Sequence, residues 1–583
     1  MSETTGTRRP RLGFLRAVTR RFGTWPLFGV ILVWVVLALV VFTVLGWLWG
    51  EGPLWSDRWL TNWRGAGAKA NPLDVVKVSL TTIGGIGGTG YLVIKYRERA
   101  SAERAERDAE QDRAEQRLLS GAQQLGSGSP QVRIAGVYSL ASVADTYRGE
   151  YRQRVVSILC GYLRTQRGEW RTIVNEQKGP EQSSEEKVYV SHDGAVESTV
   201  LEVLVRHLRK HCEAVTQLVE DDQLWCDCTI DLHDAVLTEI ADFRGATFTN
   251  NAYFRGATFN RYADFERATF NRYAYFRGAT FNRYADFERA TFTNNADFGG
   301  ATFTNNANFG DATFTNNADF RGATFTNNAN FRGATFNRYA NFRGATFTNN
   351  AYFRGATFNR YADFGDATFT NDAYFGGATF TNNANFRGAT FTNDAYFGGA
   401  TFTNDADFGG ATFTNANFQD ATFNRYADFR GATFNRYADF RGATFTNDAY
   451  FGGATFTNNA NFQDATFTNA NFRGATFTNN VDFGGATFTN NANFQDATFT
   501  RSAPPKGLPP GRVDETGLPH GARWADADDE GPEAGSPDDA PAEGTDPGSA
   551  GSPDDAPAEG TDPGSAGSPD DAPAEGTDPG SAG

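Results

Sequence analysis

Phenylalanine recurs between residues 241 and 500 at a spacing that alternates between five and six residues. Of the 52 phenylalanines in the chain, 48 lie on this grid, in units close to ADFRG or ATFTNN. A unit this short cannot form a domain, because it buries its apolar face only against neighbouring units. The repeat therefore predicts a solenoid, in which each unit is one side of a coil.

Each unit places alanine and phenylalanine on either side of a Thr, Asp, Asn or Tyr. In an extended segment this alternation turns Ala and Phe to one side and the polar residue to the other. No 3.6-residue apolar stripe fits the spacing, which excludes a helix. The residues after each Phe are rich in Gly and Asn and indicate corners. The predicted core begins with Ala241, Phe243, Ala246, Phe248, Phe254, Phe259, Phe265 and Phe270.

The six-residue step shortens to five at two places, between Phe413 and Phe418 and between Phe467 and Phe472. At both places the triplet TNN becomes TN, and the grid then resumes without change. The basic unit is therefore a pentapeptide, and the sixth residue is an insertion that a corner tolerates, much as a strand tolerates a bulge.

These units, A(D/N)F-x-x and ATF-x-x, resemble the repeats of the pentapeptide-repeat proteins. The resemblance implies a right-handed, four-sided β-helix with Phe inside and Ala packed beside it, and the regular sixth residue departs from the family pattern. Residues 230–239 read as two degenerate opening units. We therefore expect a mainly β fold over residues 230–500, with about 12 coils at the β spacing of roughly 4.8 Å.

Two apolar segments precede this region. Residues 25–49 carry no charge and are long enough to cross a bilayer core of about 30 Å. Residues 75–95 contain five glycines and have Lys77 and Lys95 near their ends. The positive-inside rule places the basic arm 1–24 and everything after residue 95 in the cytoplasm, and the loop 50–74 outside. We expect a multi-pass protein of the cell membrane, with both termini cytoplasmic and the lipid bilayer as one partner.

Residues 96–229 are predicted to form an α-helical module. A charged segment with pairs such as Glu103 and Arg107 continues from the second span as a solvated helix. The segments QQLGSGSPQVRIAGVYSLASVADTY and VESTVLEVLVRHLRK resemble the short HEAT-like helical region that precedes the repeats in membrane-anchored bacterial pentapeptide-repeat proteins. Residues 177–187 are polar and are predicted to form a loop.

Two groups of residues resemble cofactor-binding motifs, but each departs from the pattern that binding requires. His207, His211, Cys212, Cys226 and Cys228 offer zinc ligands, but the Cys-x-Cys spacing is tighter than the usual gap, so free cytoplasmic thiols are expected. The glycines of residues 85–90 match GxGxxG without the βαβ context that nucleotide binding needs. No metal and no cofactor are predicted.

The net charge of −16 belongs to the C-terminal tail. Residues 501–583 hold 4 Lys+Arg and 19 Asp+Glu, and they repeat GSPDDAPAEGTDPGSA three times with few apolar residues, so this tail is predicted to be disordered. Residues 241–500 hold 20 Arg and 21 Asp+Glu. Their near neutrality disfavours nucleic-acid binding. Some members of the resembled family mimic DNA and bind a type II topoisomerase, which requires a strongly negative face.

The repeat region contains no His, Cys, Lys or Ser, so the usual catalytic pairs are missing. Its Asp residues recur at equivalent positions, whereas an active site needs one distinctive place. The sequence therefore predicts no enzyme and no catalytic residue. We expect a membrane-tethered, non-enzymatic scaffold for an unknown protein partner. A DNA-mimicking, topoisomerase-binding protein and a rigid structural spacer are the alternatives, and the oligomeric state is not determined.

Overall fold

The computed structural model describes residues 72–174, 185–210 and 216–525, and nine helical residues between 32 and 47. Residues 72–210 contain four helices and a two-stranded antiparallel sheet among their described positions. The helices are α1 (Pro72–Leu125), α2 (Pro130–Thr146), α3 (Glu150–Arg164) and α4 (Gly194–Leu208). The strands are β1 (Gly168–Val174) and β2 (Glu185–Ser191), and a 3-10 turn follows at Asp221–Gln223.

Helix α2 lies at the centre of this module and packs against α1, α3 and α4. It begins at Pro130, whose fixed φ suits a first helical turn. Its apolar side packs a core with the neighbouring helices, including the buried side chains of Val137, Leu140 and Leu159. Gly136 permits the close approach of α1, because a Cβ there would lie 2.6 Å from the backbone nitrogen of Leu125.

The module differs from the all-helical expectation. Strands β1 and β2 pair from Gly168 opposite Ser191 to Val174 opposite Glu185. Of the predicted polar loop 177–187, residues 177–184 lie outside the described residues. Residues 185–187 belong to β2. The β-branched and aromatic run Val188-Tyr189-Val190 in EEKVYVS is the strand signal that the polarity of this segment obscured.

Among the described residues, no helix is long and apolar enough to cross a membrane. The prediction of a multi-pass membrane protein is therefore wrong. Residues 75–95 instead open α1, which continues without interruption to Leu125. Five Gly and three Thr among residues 78–94 dilute the apolar content that a span requires. The predicted basic arm 1–24 lies outside the described residues. Of the predicted first span 25–49, nine positions are described, and of the predicted loop 50–74, only the residues from 72 onward, which begin α1.

Residues 230–524 form a β-solenoid of about 13 turns, which confirms the predicted solenoid. A turn takes 22 residues, or 21 where a corner loses a residue, and contributes four short strands, so that Ala241 pairs in parallel with Ala263 and Thr401 with Thr422. Face 1 runs from Ala241–Asp242 to Val481–Asp482, and face 2 from Thr247–Phe248 to Thr487–Phe488. Face 3 runs from Ile230–Asp231 to Ala492–Asn493, and face 4 from Val236–Leu237 to Thr498–Phe499.

The corners explain the alternating spacing. Faces 1 and 3 end in a tight corner of two residues, and faces 2 and 4 end in a longer corner of three residues. The inserted residue thus occupies two diagonally opposite corners and leaves the strands in register. Where the triplet loses a residue, the flanking strands merge into Thr412–Asn417 and Thr466–Asn471, and they also merge across the intact triplets of the adjoining coils at Thr390–Tyr396 and Thr444–Tyr450.

The solenoid interior is a stack of phenylalanine rings. The grid residues are buried, including Phe243, Phe254 and Phe259 near the start. Each ring lies parallel to the equivalent ring of the next coil, as for Phe303 and Phe325, whose centroids are 4.8 Å apart. Rings of neighbouring faces meet edge to face across the longer corners, as for Phe303 and Phe309, and are tilted at about 40° across the tight corners, as for Phe309 and Phe314. Ala241 and Ala246 are buried beside these rings.

Both ends of the solenoid are covered. Helices α3 and α4 pack against the first coil, and Arg209 after α4 forms a bridge to Ala246. At the other end Arg523–Trp524 pairs with Thr498–Phe499, and Leu518 is buried. The predicted disorder of the tail therefore does not extend to residues 501–525, whose apolar side chains supply this cap. Residues 526–583 lie outside the described residues.

Candidate functional site

The outward residues of the solenoid differ between its faces. Faces 2 and 4 present an almost unbroken column of threonines, one from each coil. Faces 1 and 3 present Asp, Asn or Tyr in an order that changes from coil to coil. Among the outward strand residues, the variation from coil to coil is therefore concentrated on faces 1 and 3.

Face 3 carries a groove with tyrosine at both ends and carboxylates between them. Its volume is about 280 Å³, and we call it the acidic groove. Tyr273 and Tyr275 bound one end, and Tyr339 bounds the other. Tyr273 and Tyr339 occupy equivalent positions three coils apart, or about 14 Å at the β spacing. Asp297 and Asp319 project between these ends from consecutive coils. Asn295, Asn317 and Asn341 add amides to the lining, and Ala296 and Ala318 complete it.

The groove forms because neighbouring coils carry side chains of different size. The strand residues Asp297 and Asp319 replace the tyrosine that stands at the equivalent position 275. The corners preceding them read TNN, whereas those before and after the groove read NRY and carry Tyr273 and Tyr339. Small side chains between large ones leave a depression on an otherwise flat face.

The two carboxylates of the groove are anchored but not neutralised. Asp297 Oδ1 accepts a hydrogen bond from the backbone nitrogen of Gly299, and Asp319 Oδ1 accepts one from that of Arg321, both at 2.9 Å. Burial raises the pKa of Asp297 above its ordinary value. Across the described residues no ion pair involves either carboxylate. By contrast, Asp428 pairs with Arg430 at 2.5 Å.

The walls of the groove are tyrosine rings fixed by their neighbours. Tyr275 stacks on Tyr253 at 5.1 Å and on Tyr273 at 5.7 Å between centroids. Tyr339 donates a hydrogen bond to Asp363 Oδ2 at 3.1 Å. Burial, followed by the charge of Asp363, raises the pKa of Tyr339 above its ordinary value, so this phenol keeps its proton. Ring faces and unpaired carboxylates together favour a cation.

A second groove of about 340 Å³ lies on face 1, between Tyr284 and Tyr352. Its lining holds asparagines and Arg332 but no carboxylate. Asn330 Nδ2 donates to Asn308 Oδ1 at 2.8 Å, whereas the buried Asn328 Oδ1 has no hydrogen-bond partner among the described residues. Because its lining holds no carboxylate, this groove lacks the negative charge of the acidic groove.

The candidate zinc ligands do not form a site in the described residues. His207 stacks on Trp225 at 3.9 Å, and its Nδ1 lies 2.6 Å from Val203 O. Burial raises the pKa of Cys226 to about 11 and that of Cys228 to about 12. His211 and Cys212 lie outside the described residues. In the part of the chain that the structure describes, no three His, Cys, Asp or Glu residues are placed to hold a metal ion.

Sequence reasoning did not single out the residues of the acidic groove. The signal was present, because a 22-residue coil makes residue n the neighbour of residue n+22. Writing residues 241–500 in rows of 22 aligns Tyr275, Asp297 and Asp319 in one column. The single-unit repeat draws attention to what the coils share, and the groove depends on how they differ.

Comparison with known protein families identifies the repeat. Residues 232–504 match a family model described as pentapeptide repeats (9 copies). The matching segments overlap along the solenoid and begin at residues 232, 265, 276, 309, 320, 353, 386, 397, 429 and 464. No curated protein and no solved structure matches the chain.

Proposed function

Because residues 232–504 belong to the pentapeptide-repeat family, we propose that this chain is a non-enzymatic scaffold that binds a partner protein. The acidic groove of face 3 is the proposed contact surface. The partner is expected to present arginine or lysine side chains. The single observation that carries this proposal is the pair of unpaired carboxylates, Asp297 and Asp319, between tyrosine walls.

Rigidity supports this role. The two groove carboxylates stand on consecutive strands in exact register, above phenylalanine rings stacked at 4.8 Å. Backbone hydrogen bonds join the same coils, as from Phe298 N to Asp319 O at 2.6 Å. A surface held in this way loses little conformational entropy when a partner binds.

Charge complementarity supports the choice of a basic partner. A guanidinium or ammonium group placed in the groove would neutralise Asp297 or Asp319 and lie against a tyrosine ring. The free groove keeps two carboxylates close together, partly shielded from water, so a cation would relieve their repulsion. The charges of Arg277 and Arg321 lower the pKa of Asp297 and so oppose the larger effect of burial. Among the described residues, however, neither arginine forms an ion pair with Asp297.

The charge pattern supports DNA mimicry less well. In the described solenoid the longest run of aspartates on one face is three, at Asp242, Asp264 and Asp286. Arg244 lies 3.3 Å from a carboxylate oxygen of Asp242 and 3.9 Å from one of Asp264. Duplex DNA carries one charge per about 1.7 Å of its axis, whereas these aspartates are roughly 4.8 Å apart. A rigid structural spacer, the other alternative, does not require a groove.

A defined probe tests the proposal. We expect the capped peptide acetyl-Gly-Arg-Gly-Arg-Gly-amide to bind the full chain, with weaker binding as salt rises. The double variant Asp297→Asn/Asp319→Asn should lose this binding. The control Asp428→Asn/Asp439→Asn removes the same charge from carboxylates already paired with arginine, and should keep it. Equal binding by both variants would exclude the acidic groove as the site.

A further inference from the structure

The acidic groove interrupts two columns of tyrosine on face 3. In the strand column Tyr275 stacks on Tyr253, with ring centroids 5.1 Å apart, and Asp297 takes its place in the next coil. In the corner column Tyr339 stacks on Tyr361, with centroids 5.4 Å apart, and an asparagine takes its place in the coil before. The parallel rings stack along the solenoid axis, so the free face of each terminal ring is turned toward the groove. Aromatic faces therefore close the groove at both ends.

Each groove carboxylate keeps one oxygen available to a ligand. Oδ1 of Asp297 and of Asp319 accepts a backbone hydrogen bond, whereas neither Oδ2 accepts one from a described residue. Neither Oδ2 belongs to the buried, unpartnered side-chain atoms of the described residues, so both are accessible to solvent. The two carboxylates stand on consecutive coils, and the rings of Phe298 and Phe320, which follow them, have centroids 4.8 Å apart. The groove thus offers two accessible anionic acceptors one coil apart.

The free length of the groove sets the size of its ligand. Three coil spacings separate Tyr273 from Tyr339, or about 14 Å. A ligand nitrogen needs about 3.5 Å of clearance from a ring plane, so the outermost nitrogens of a ligand can lie up to about 7 Å apart along the axis. Two ammonium groups joined by an extended chain are about 5 Å apart with three methylenes and about 6 Å apart with four. At either separation each ammonium lies beside one carboxylate and within the cation–π range, about 6 Å, of a terminal ring.

We propose that the acidic groove binds a doubly protonated aliphatic diamine with three or four methylenes, and that this ligand regulates partner binding by occupying the groove. The inference rests on the proposed function, because it assigns a competitor for the same site. One ammonium donates to Asp297 Oδ2 and the other to Asp319 Oδ2, and Tyr275 and Tyr339 bound the ends. A single ammonium leaves one carboxylate without a counter-charge, and the nitrogens of a longer diamine meet the rings.

Isothermal titration calorimetry on the full chain tests this proposal with propylamine, 1,3-diaminopropane, 1,4-diaminobutane and 1,8-diaminooctane as probes. We expect the three- and four-carbon diamines to bind about 10-fold more tightly than propylamine, because the second ammonium adds a charge-assisted hydrogen bond. Eight methylenes place the nitrogens about 11 Å apart, which the groove does not admit, so 1,8-diaminooctane should bind no better than propylamine.

Two matched variants locate the diamine. Asp319→Asn should remove the advantage of the short diamines over propylamine. The control Asp428→Asn removes the same charge from a carboxylate already paired with Arg430, and it should keep that advantage. The thermal unfolding midpoint shows whether each variant is folded. If Asp319→Asn fails to fold, Asp297→Asn serves as the second variant, with the same loss expected.

Equal affinities of 1,3-diaminopropane and propylamine for the unchanged chain would overturn the proposal, as would an undiminished advantage in the groove variant. The capped peptide acetyl-Gly-Arg-Gly-Arg-Gly-amide separates this result from a failure of the proposed function. Saturating 1,3-diaminopropane should displace the peptide, and peptide binding that persists would contradict the regulation. If the peptide binds and the short diamines do not, the diamine proposal alone fails. If the short diamines bind and the peptide does not, the proposed function fails and the diamine site stands.

Discussion

Arg167 and Glu197 form a buried ion pair that joins the helical module to the first coil of the solenoid. Arg167 Nη1 lies 2.5 Å from Glu197 Oε2, and the side chains are 4% and 0% exposed. Arg167 Nη2 also donates to Val236 O at 2.8 Å. Glu197 Oε1 accepts from the backbone nitrogens of Thr238 at 2.6 Å and Glu239 at 3.0 Å. The two residues therefore hold α4 and the opening strands in one geometry.

Removing one member of this pair should destabilise the module strongly. Glu197→Ala leaves Arg167 buried without a counter-charge, and we expect the free energy of unfolding to fall by about 3–5 kcal/mol. Urea unfolding followed by helical circular dichroism measures this change. The control Glu202→Ala breaks an exposed pair with Arg206 and should cost about 0–1 kcal/mol. The double variant Arg167→Met/Glu197→Leu should cost less than Glu197→Ala, and a larger cost would contradict this account.

The tight corners provide a test of backbone strain. Gly278 has φ of 66° and nothing within 4 Å of the position a Cβ would take, so Gly278→Ala tests conformation alone. We expect a loss of about 1–2 kcal/mol. Arg289 occupies the corresponding position of the next tight corner, which follows face 1, with φ of 55°, and Arg289→Gly should be neutral or stabilising by up to about 1 kcal/mol. Urea midpoints measure both. Similar losses of stability for Gly278→Ala and Arg289→Gly would show that the positive φ at the corner is not the cause.

The cap at residues 501–525 should be essential, and the rest of the tail should not. Deletion of 501–583 removes the strand that pairs with Thr498–Phe499 and exposes the end of the phenylalanine stack. We expect a lower unfolding midpoint and concentration-dependent association by light scattering. Deletion of 526–583 keeps the cap and is the matched control. Equal behaviour of the two truncated chains would show that Arg523–Trp524 does not protect the end.

The buried thiols make stability depend on alkaline pH. Burial raises the pKa of Cys160 and Cys228 to about 12 from an ordinary value of 9.0. Between these pH values the unfolded chain loses thiol protons that the folded chain retains, so the free energy of unfolding falls as pH rises above about 9. At pH 8 we expect slow labelling of Cys160, Cys226 and Cys228 by Ellman's reagent in the folded chain and fast labelling in urea. Mass spectrometry assigns each label, and rapid labelling of the folded chain would contradict their burial.

The repeat made the solenoid predictable, because every unit obeys the same alternation of inward and outward residues. The positions of Ala241 and Phe243 in the interior follow from that alternation and the demand for burial. The C-terminal cap was missed because Leu518 and Trp524 are isolated apolar residues in a polar, Pro-rich segment. The strand pair β1 and β2 was missed because its partners are separated by a polar segment.

The candidate site was less predictable than the fold. Predicting the acidic groove requires the coil length of 22 residues. The alternating spacing of five and six residues gives that length only once four units are known to close one turn. Asp297 has the same local sequence as the other aspartates that precede phenylalanine. It differs through the residues 22 positions away, since a tyrosine lies on one side and an aspartate on the other. Such differences are set by packing between coils, which a single unit does not encode.

The most direct test of the scaffold account is quantitative affinity capture from a lysate of cells that express this chain. The baits are the unchanged chain, the groove variant Asp297→Asn/Asp319→Asn, and the charge-matched control Asp428→Asn/Asp439→Asn. The account predicts that the unchanged chain and the control retain the same basic partner, and that the groove variant loses it. Identical sets of retained proteins for all three baits would contradict a role for the acidic groove in partner binding.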